Sequence, residues 1–78
     1  MGLEIGQTFI KGDYLFCLID FIHFDNKQYA LFSIETPKII YNFYEVSYNS
    51  NGCSLLAVND DELNNQLMLI FEGKKDYE

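Results

Sequence analysis

The sequence predicts an α+β domain: an antiparallel meander of about five strands with one C-terminal α-helix packed on the sheet. Three observations carry this expectation. Aromatic and β-branched runs recur with turn residues between them. The hydrophobic period then lengthens from about two to about 3.6 residues beyond Val58, as when strands give way to a helix. The connections between runs are too short for parallel crossovers, so successive strands pair antiparallel.

The first strand, about residues 5–10, is short and turns at Lys11-Gly12-Asp13. The second spans about 14–22 (YLFCLIDFI), and Asp25-Asn26-Lys27, whose residues tolerate positive φ, leads tightly into the third, about 28–34 (QYALFSI). Glu35-Thr36-Pro37-Lys38 holds the single proline and reads as a loop before the fourth strand, about 39–48 (IIYNFYEVSY). Asn51-Gly52, a hairpin signal, precedes the fifth at about 54–58.

The helix is expected over about 60–72, where Leu63, Leu67, Ile70 and Phe71 form one stripe at i, i+4, i+7 and i+8. Asn59 is placed to cap it, Glu62 to complete a box-like arrangement, and Val58 and Leu63 to act as a hydrophobic staple. Gly73 is expected to end it, with Lys74 and Lys75 near the negative end of the helix dipole.

Residues 14–22 carry a further message. One side reads Tyr14, Phe16, Leu18 and Ile22, and the other Leu15, Cys17, Ile19 and Phe21, so both sides are apolar. One helix cannot cover both. Either the sheet curls into a partial barrel, or a second molecule covers the remainder.

The 78 residues are expected to form one small domain, residues 1–78, and 49% apolar with 17% aromatic content is far too much for a disordered chain. Twelve acidic residues against five lysines and no arginine give a net charge of −7. Phosphate backbones and anionic membranes reward clustered Lys and Arg, so direct nucleic-acid and membrane binding are disfavoured. Met1-Gly2-Leu3-Glu4 lacks the basic start and apolar stretch of a secretion signal. Gly2 would suit myristoylation, but Gly6 stands where Ser or Thr is needed. Cys17 and Cys53, far apart in sequence, read as buried free thiols of a reducing, cytoplasmic compartment.

No catalytic, cofactor-binding or metal-binding residues emerge, and no cofactor is expected. His23, the only histidine, would lie about 20 Å from Cys17 along an extended strand, beyond hydrogen-bond reach. Cys17, Cys53 and His23 lack paired, short-spaced zinc ligands. Asp60, Asp61 and Glu62 fall where a helix start favours negative charge, and the segment is too short for a calcium loop. The five glycines are scattered and form no phosphate loop. Tyr41, Phe43, Tyr44 and Tyr48 could stack on bases, but the positive funnel that accompanies such stacking is missing.

The order of these parts resembles the YrzB-like family, a small acidic bacterial domain of unknown function. From about Ile5 to Glu72 the likeness runs through Gly12, Lys27-Gln28-Tyr29-Ala30-Leu31, the aromatic run from Tyr41 to Val46, Asn51-Gly52, and Val58-Asn59-Asp60-Asp61-Glu62 followed by Leu63 to Phe71. The chain is more aromatic and poorer in glutamate than that family. The resemblance implies a fold and an acidic character, and brings no activity or catalytic residue with it.

A non-enzymatic protein-binding module is therefore expected. It would dock on the basic, nucleic-acid-binding surface of a partner protein, as a phage-type, anti-defence inhibitor of a nuclease does. The residues expected at that contact are Asp20, Asp25, Glu35, Glu45, Asp60 and Asp61, with Tyr41 and Tyr44. The alternative is a self-associating structural or regulatory domain, a homodimer covering the two-faced strand.

Overall fold

The computed structural model describes residues 3–76; Met1 and Gly2, read above for a signal or lipidation, lie outside them, as do Tyr77 and Glu78. The chain forms β1 (Thr8–Lys11), β2 (Tyr14–Phe24), β3 (Lys27–Glu35), β4 (Ile39–Asn49), β5 (Gly52–Ala57) and α1 (Asp61–Asp76). The strands make one antiparallel sheet in the order β1-β2-β3-β4-β5, the expected meander, curled into a half-barrel.

The turns follow their chemistry. Phe24 pairs with Lys27, so Asp25 and Asn26 alone form the β2–β3 loop, with φ of 53° and 62°. Lys11 pairs with Tyr14 across Gly12 and Asp13. In the β4–β5 hairpin Asn49 pairs with Gly52, so the loop is Ser50-Asn51 and the glycine begins the strand at a φ of 128°, instead of sitting in the turn. The Asn51 backbone N–H donates to Asn49 Oδ1 at 2.9 Å, a local side-chain turn that fixes this loop.

β1 starts later than expected. Gln7 N–H donates to the Glu4 carbonyl at 3.0 Å and Gly6 takes a φ of 89°, so residues 5 and 6 form a turn instead of a strand.

The two apolar sides of β2 are resolved by a β-bulge. Leu18 pairs with Phe32 and Asp20 with Leu31, leaving Ile19 without a partner. The extra residue reverses the alternation. Phe16 and Leu18 stay on the concave face, where Phe21 joins them, while Ile19, Ile22 and Phe24 turn to the face under α1. Reading Ile22 with Phe16 and Leu18 holds only for an unbroken strand.

The concave core gathers Phe16, Leu18, Ala30, Phe32, Ile34 and Val46. Phe9 stacks on Phe16 with centroids 5.1 Å apart, and Tyr44 meets Phe32 edge-on at 5.4 Å. On the other face Ile22, Tyr29, Leu31 and Phe43 pack against Val58 and Leu67, with Leu63, Met68, Ile70 and Phe71 partly buried around them. The helical stripe is as expected, but its fully buried member is Leu67; Phe71 is half-buried.

Three details of the helix differ from expectation. Asp60 is the cap, its Oδ1 accepting the N–H groups of Glu62 at 2.9 Å and Leu63 at 3.2 Å, because α1 begins at Asp61 and not one residue sooner. Asn59 therefore precedes the cap, and Glu62 sits too early to close a capping box. Gly73 lies inside the helix, which runs on to Asp76.

Candidate functional site

The β2–β3 loop and the start of α1 meet at one end of the sheet. Val58 N–H donates to the Phe43 carbonyl at 3.0 Å, and Asn64 Nδ2 donates to the Val58 carbonyl at 3.1 Å, pinning the entry into the helix above β4. From there the first turn of α1 stands beside the Asp25-Asn26 loop. Between them lies an open hollow of about 300 Å³, lined by Phe24, Asp25, Lys27, Tyr29, Asp60, Glu62, Leu63 and Gln66. Its apolar lining is Phe24, Tyr29 and Leu63, and three carboxylates stand around it. Lys27 is drawn to one side by an ion pair with Glu45 at 3.5 Å.

Of the residues expected at a contact, the structure brings Asp25 and Asp60 together at this hollow, and adds Glu62, read from sequence only as a capping residue. Asp61 is exposed just outside it, and Glu35 is exposed at the last position of β3, the far end of that strand. Asp20 and Glu45 are half-buried and already paired, with Lys74 at 3.0 Å and Lys27 at 3.5 Å. Tyr44 is half-buried, its ring packed edge-on against Phe16 and Phe32 at the concave core. Tyr41 is exposed and lines a second open hollow of about 460 Å³ with Ile19, Leu31, Met68 and Phe71. That hollow borders the part of the sheet beyond α1, where Ile10, Leu15 and Ile39 are also exposed.

Cys17 and Cys53 are free thiols, each half-buried instead of fully buried. His23 is exposed on the concave side, paired across the strands with Gln28. Among the described residues no three His, Cys, Asp or Glu side chains are grouped closely enough to hold a metal ion. Among them, too, no helix is long and apolar enough to cross a membrane.

Phe24, Tyr29, Leu63 and Gln66 had no signal in the sequence as site residues, because each is a periodic strand or helix position. Only the meeting of a loop with a distant helix start gives them a common address.

The architecture is thus an open, curled α+β meander with an acidic, apolar-lined hollow beside the helix start. No protein-family model, curated protein or solved structure matches the chain.

Proposed function

We propose that the protein is a non-enzymatic binding module that takes up a basic segment of another protein at the hollow beside the start of α1. The observation that carries this reading is the combination of Asp25, Asp60 and Glu62 with the apolar surfaces of Phe24, Tyr29 and Leu63. A lysine or arginine side chain has the matching form: an apolar stem for the aromatic and leucine surfaces and a cationic head for the carboxylates. The net charge of −7 adds a long-range attraction that speeds encounter with any basic partner. A narrower form of the reading makes the basic segment part of a nuclease's nucleic-acid groove and the protein a phage-type inhibitor. That form rests on charge alone.

The direct test uses a short arginine- and lysine-rich peptide as probe, titrated into isotopically labelled protein. Amide shifts should concentrate on Asp25, Asn26 and residues 60–66, and Asp25→Lys should weaken the binding. Shifts spread evenly over the acidic surface, or binding untouched by Asp25→Lys, would rule the hollow out.

A further inference from the structure

The meander leaves two free edges, because β1 and β5 end the sheet without pairing with each other. Native sheets protect such edges with charge, proline, bulges or brevity. β1 is four residues long and includes Lys11, with Asp13 in the turn two residues beyond it. β5 has none of these devices. Gly52-Cys53-Ser54-Leu55-Leu56-Ala57 carries no charge and no proline, its register against β4 is unbroken, and Leu56 is 68% exposed. Val58, which follows, is also uncharged, in a chain where 22% of residues are charged.

The backbone of this edge has a definite polarity. Val58 N–H bonds to the Phe43 carbonyl, so by antiparallel alternation Leu56, Ser54 and Gly52 also turn their backbone groups toward β4. The N–H and C=O groups of Cys53, Leu55 and Ala57 point outward. Among the described residues no backbone bond reaches them from another element.

We propose that β5 is a dimerisation edge, pairing antiparallel with β5 of a second copy to join two five-stranded sheets into one. A two-fold axis at Leu55, perpendicular to the sheet, sets Leu55 against its own copy and Cys53 against Ala57. Each outward donor then meets an outward acceptor, and concave faces stay on one side. Charge selects the occupant. A basic strand would find no carboxylate along this edge to pair with, whereas a second copy can lie here without setting like charges against each other. Elsewhere the acidic surface holds copies apart. The edge is only six residues long, so the dimer is weak and depends on concentration. The remaining repulsion is long-range and screened by salt, so dimerisation strengthens as salt rises, the opposite of docking on a basic partner.

Sedimentation equilibrium of the full chain, from micromolar to millimolar, at low salt and at about 1 M salt, tests this. The mass should climb from 9.1 kDa toward twice that value, at lower concentration in high salt. Ala57→Pro removes an outward N–H, and Leu56→Lys adds a charge to an exposed position; each should raise the dissociation constant severalfold while the thermal melt is kept. If Ala57→Pro fails to fold, Leu56→Lys decides. A mass of 9.1 kDa under all conditions, an association weakened by salt, or a dimer indifferent to Leu56→Lys would overturn the proposal.

Discussion

Lys74 and Asp20 tie the end of α1 to the bulge in β2: Lys74 Nζ lies 3.0 Å from Asp20 Oδ2 and donates to the Phe21 carbonyl at 2.8 Å. Asp20 Oδ1 in turn accepts the Phe21 backbone N–H at 2.8 Å. One lysine therefore holds both the irregular point of the strand and the last turns of the helix. The pair is partly exposed, so its coupling should be modest, up to about 1 kcal/mol, and should decline with salt. A double-mutant cycle of Lys74→Met and Asp20→Asn, read by urea denaturation, measures it. Zero coupling at low salt would mean that the contact does not hold the helix.

Asp60 caps α1 and also lines the hollow, so its replacement should affect stability and binding together. Asp60→Ala should cost about 1 kcal/mol, while Asn59→Ala should cost much less, because Asn59 lies outside the cap. Equal losses at the two positions in denaturant melts would restore the earlier start of the helix.

Gly73 invites a stabilising change. It lies within α1, and a Cβ built there meets nothing within 4 Å. Gly73→Ala should therefore raise stability by close to 1 kcal/mol through helix propensity, lifting the melting temperature by about 4–8 °C. Gly52→Ala should do the reverse, since its φ of 128° is strained for any residue with a side chain. A destabilised Gly73→Ala would mean that the helix stops at that glycine.

The helix is held to the sheet above all by Leu67, which is fully buried. Leu67→Ala should cost about 2–5 kcal/mol, enough to threaten a domain of this size, and Phe71→Ala should cost less because that ring is only half-buried. Truncation at Asn59 should abolish the cooperative melt. A larger loss at Phe71 than at Leu67 would reverse this ranking of the contacts.

These contrasts mark what the sequence can express. The hairpin at Asp25-Asn26 and the stripe through Leu67 are local: the turn needs residues that accept positive φ, and the stripe needs only a period. The bulge at Ile19 is not local, since it exists only relative to the register of β3, and nothing in the run from Tyr14 to Ile22 marks where the alternation reverses. The cap shifted by one residue because Asn59 and Asp60 are both good capping residues. The choice fell to the bond from Val58 to Phe43, far away in the chain. Gly73 lies inside the helix, and Lys74, one residue on, bonds to the Phe21 carbonyl of β2, a contact that the local sequence does not express. Asp25 and Asp60 were legible as acidic residues, but their meeting over Phe24 and Tyr29 is a property of the packed domain.

The acidic surface should also be separable into docking and structural carboxylates. Asp20 and Glu45 are engaged with Lys74 and Lys27, so their reversal to lysine would break an ion pair and set two cations together, confounding binding with stability. Asp25 and Glu35 are exposed and in neither pair, and they lie at opposite ends of β3. Asp25→Lys should slow association with a basic peptide severalfold and reduce its salt dependence, because it removes a carboxylate at the hollow and places a cation there. Glu35→Lys changes the net charge by the same amount at the far end of the sheet, so it should slow association only slightly. Both should leave the melting temperature nearly unchanged, as surface substitutions usually shift stability by less than about 0.5 kcal/mol. Stopped-flow association rates at several salt concentrations make the comparison. If the two reversals slow association equally, the attraction comes from net charge and not from the hollow, and the exposed strip around Tyr41, Ile39 and Leu15 becomes the surface to test next.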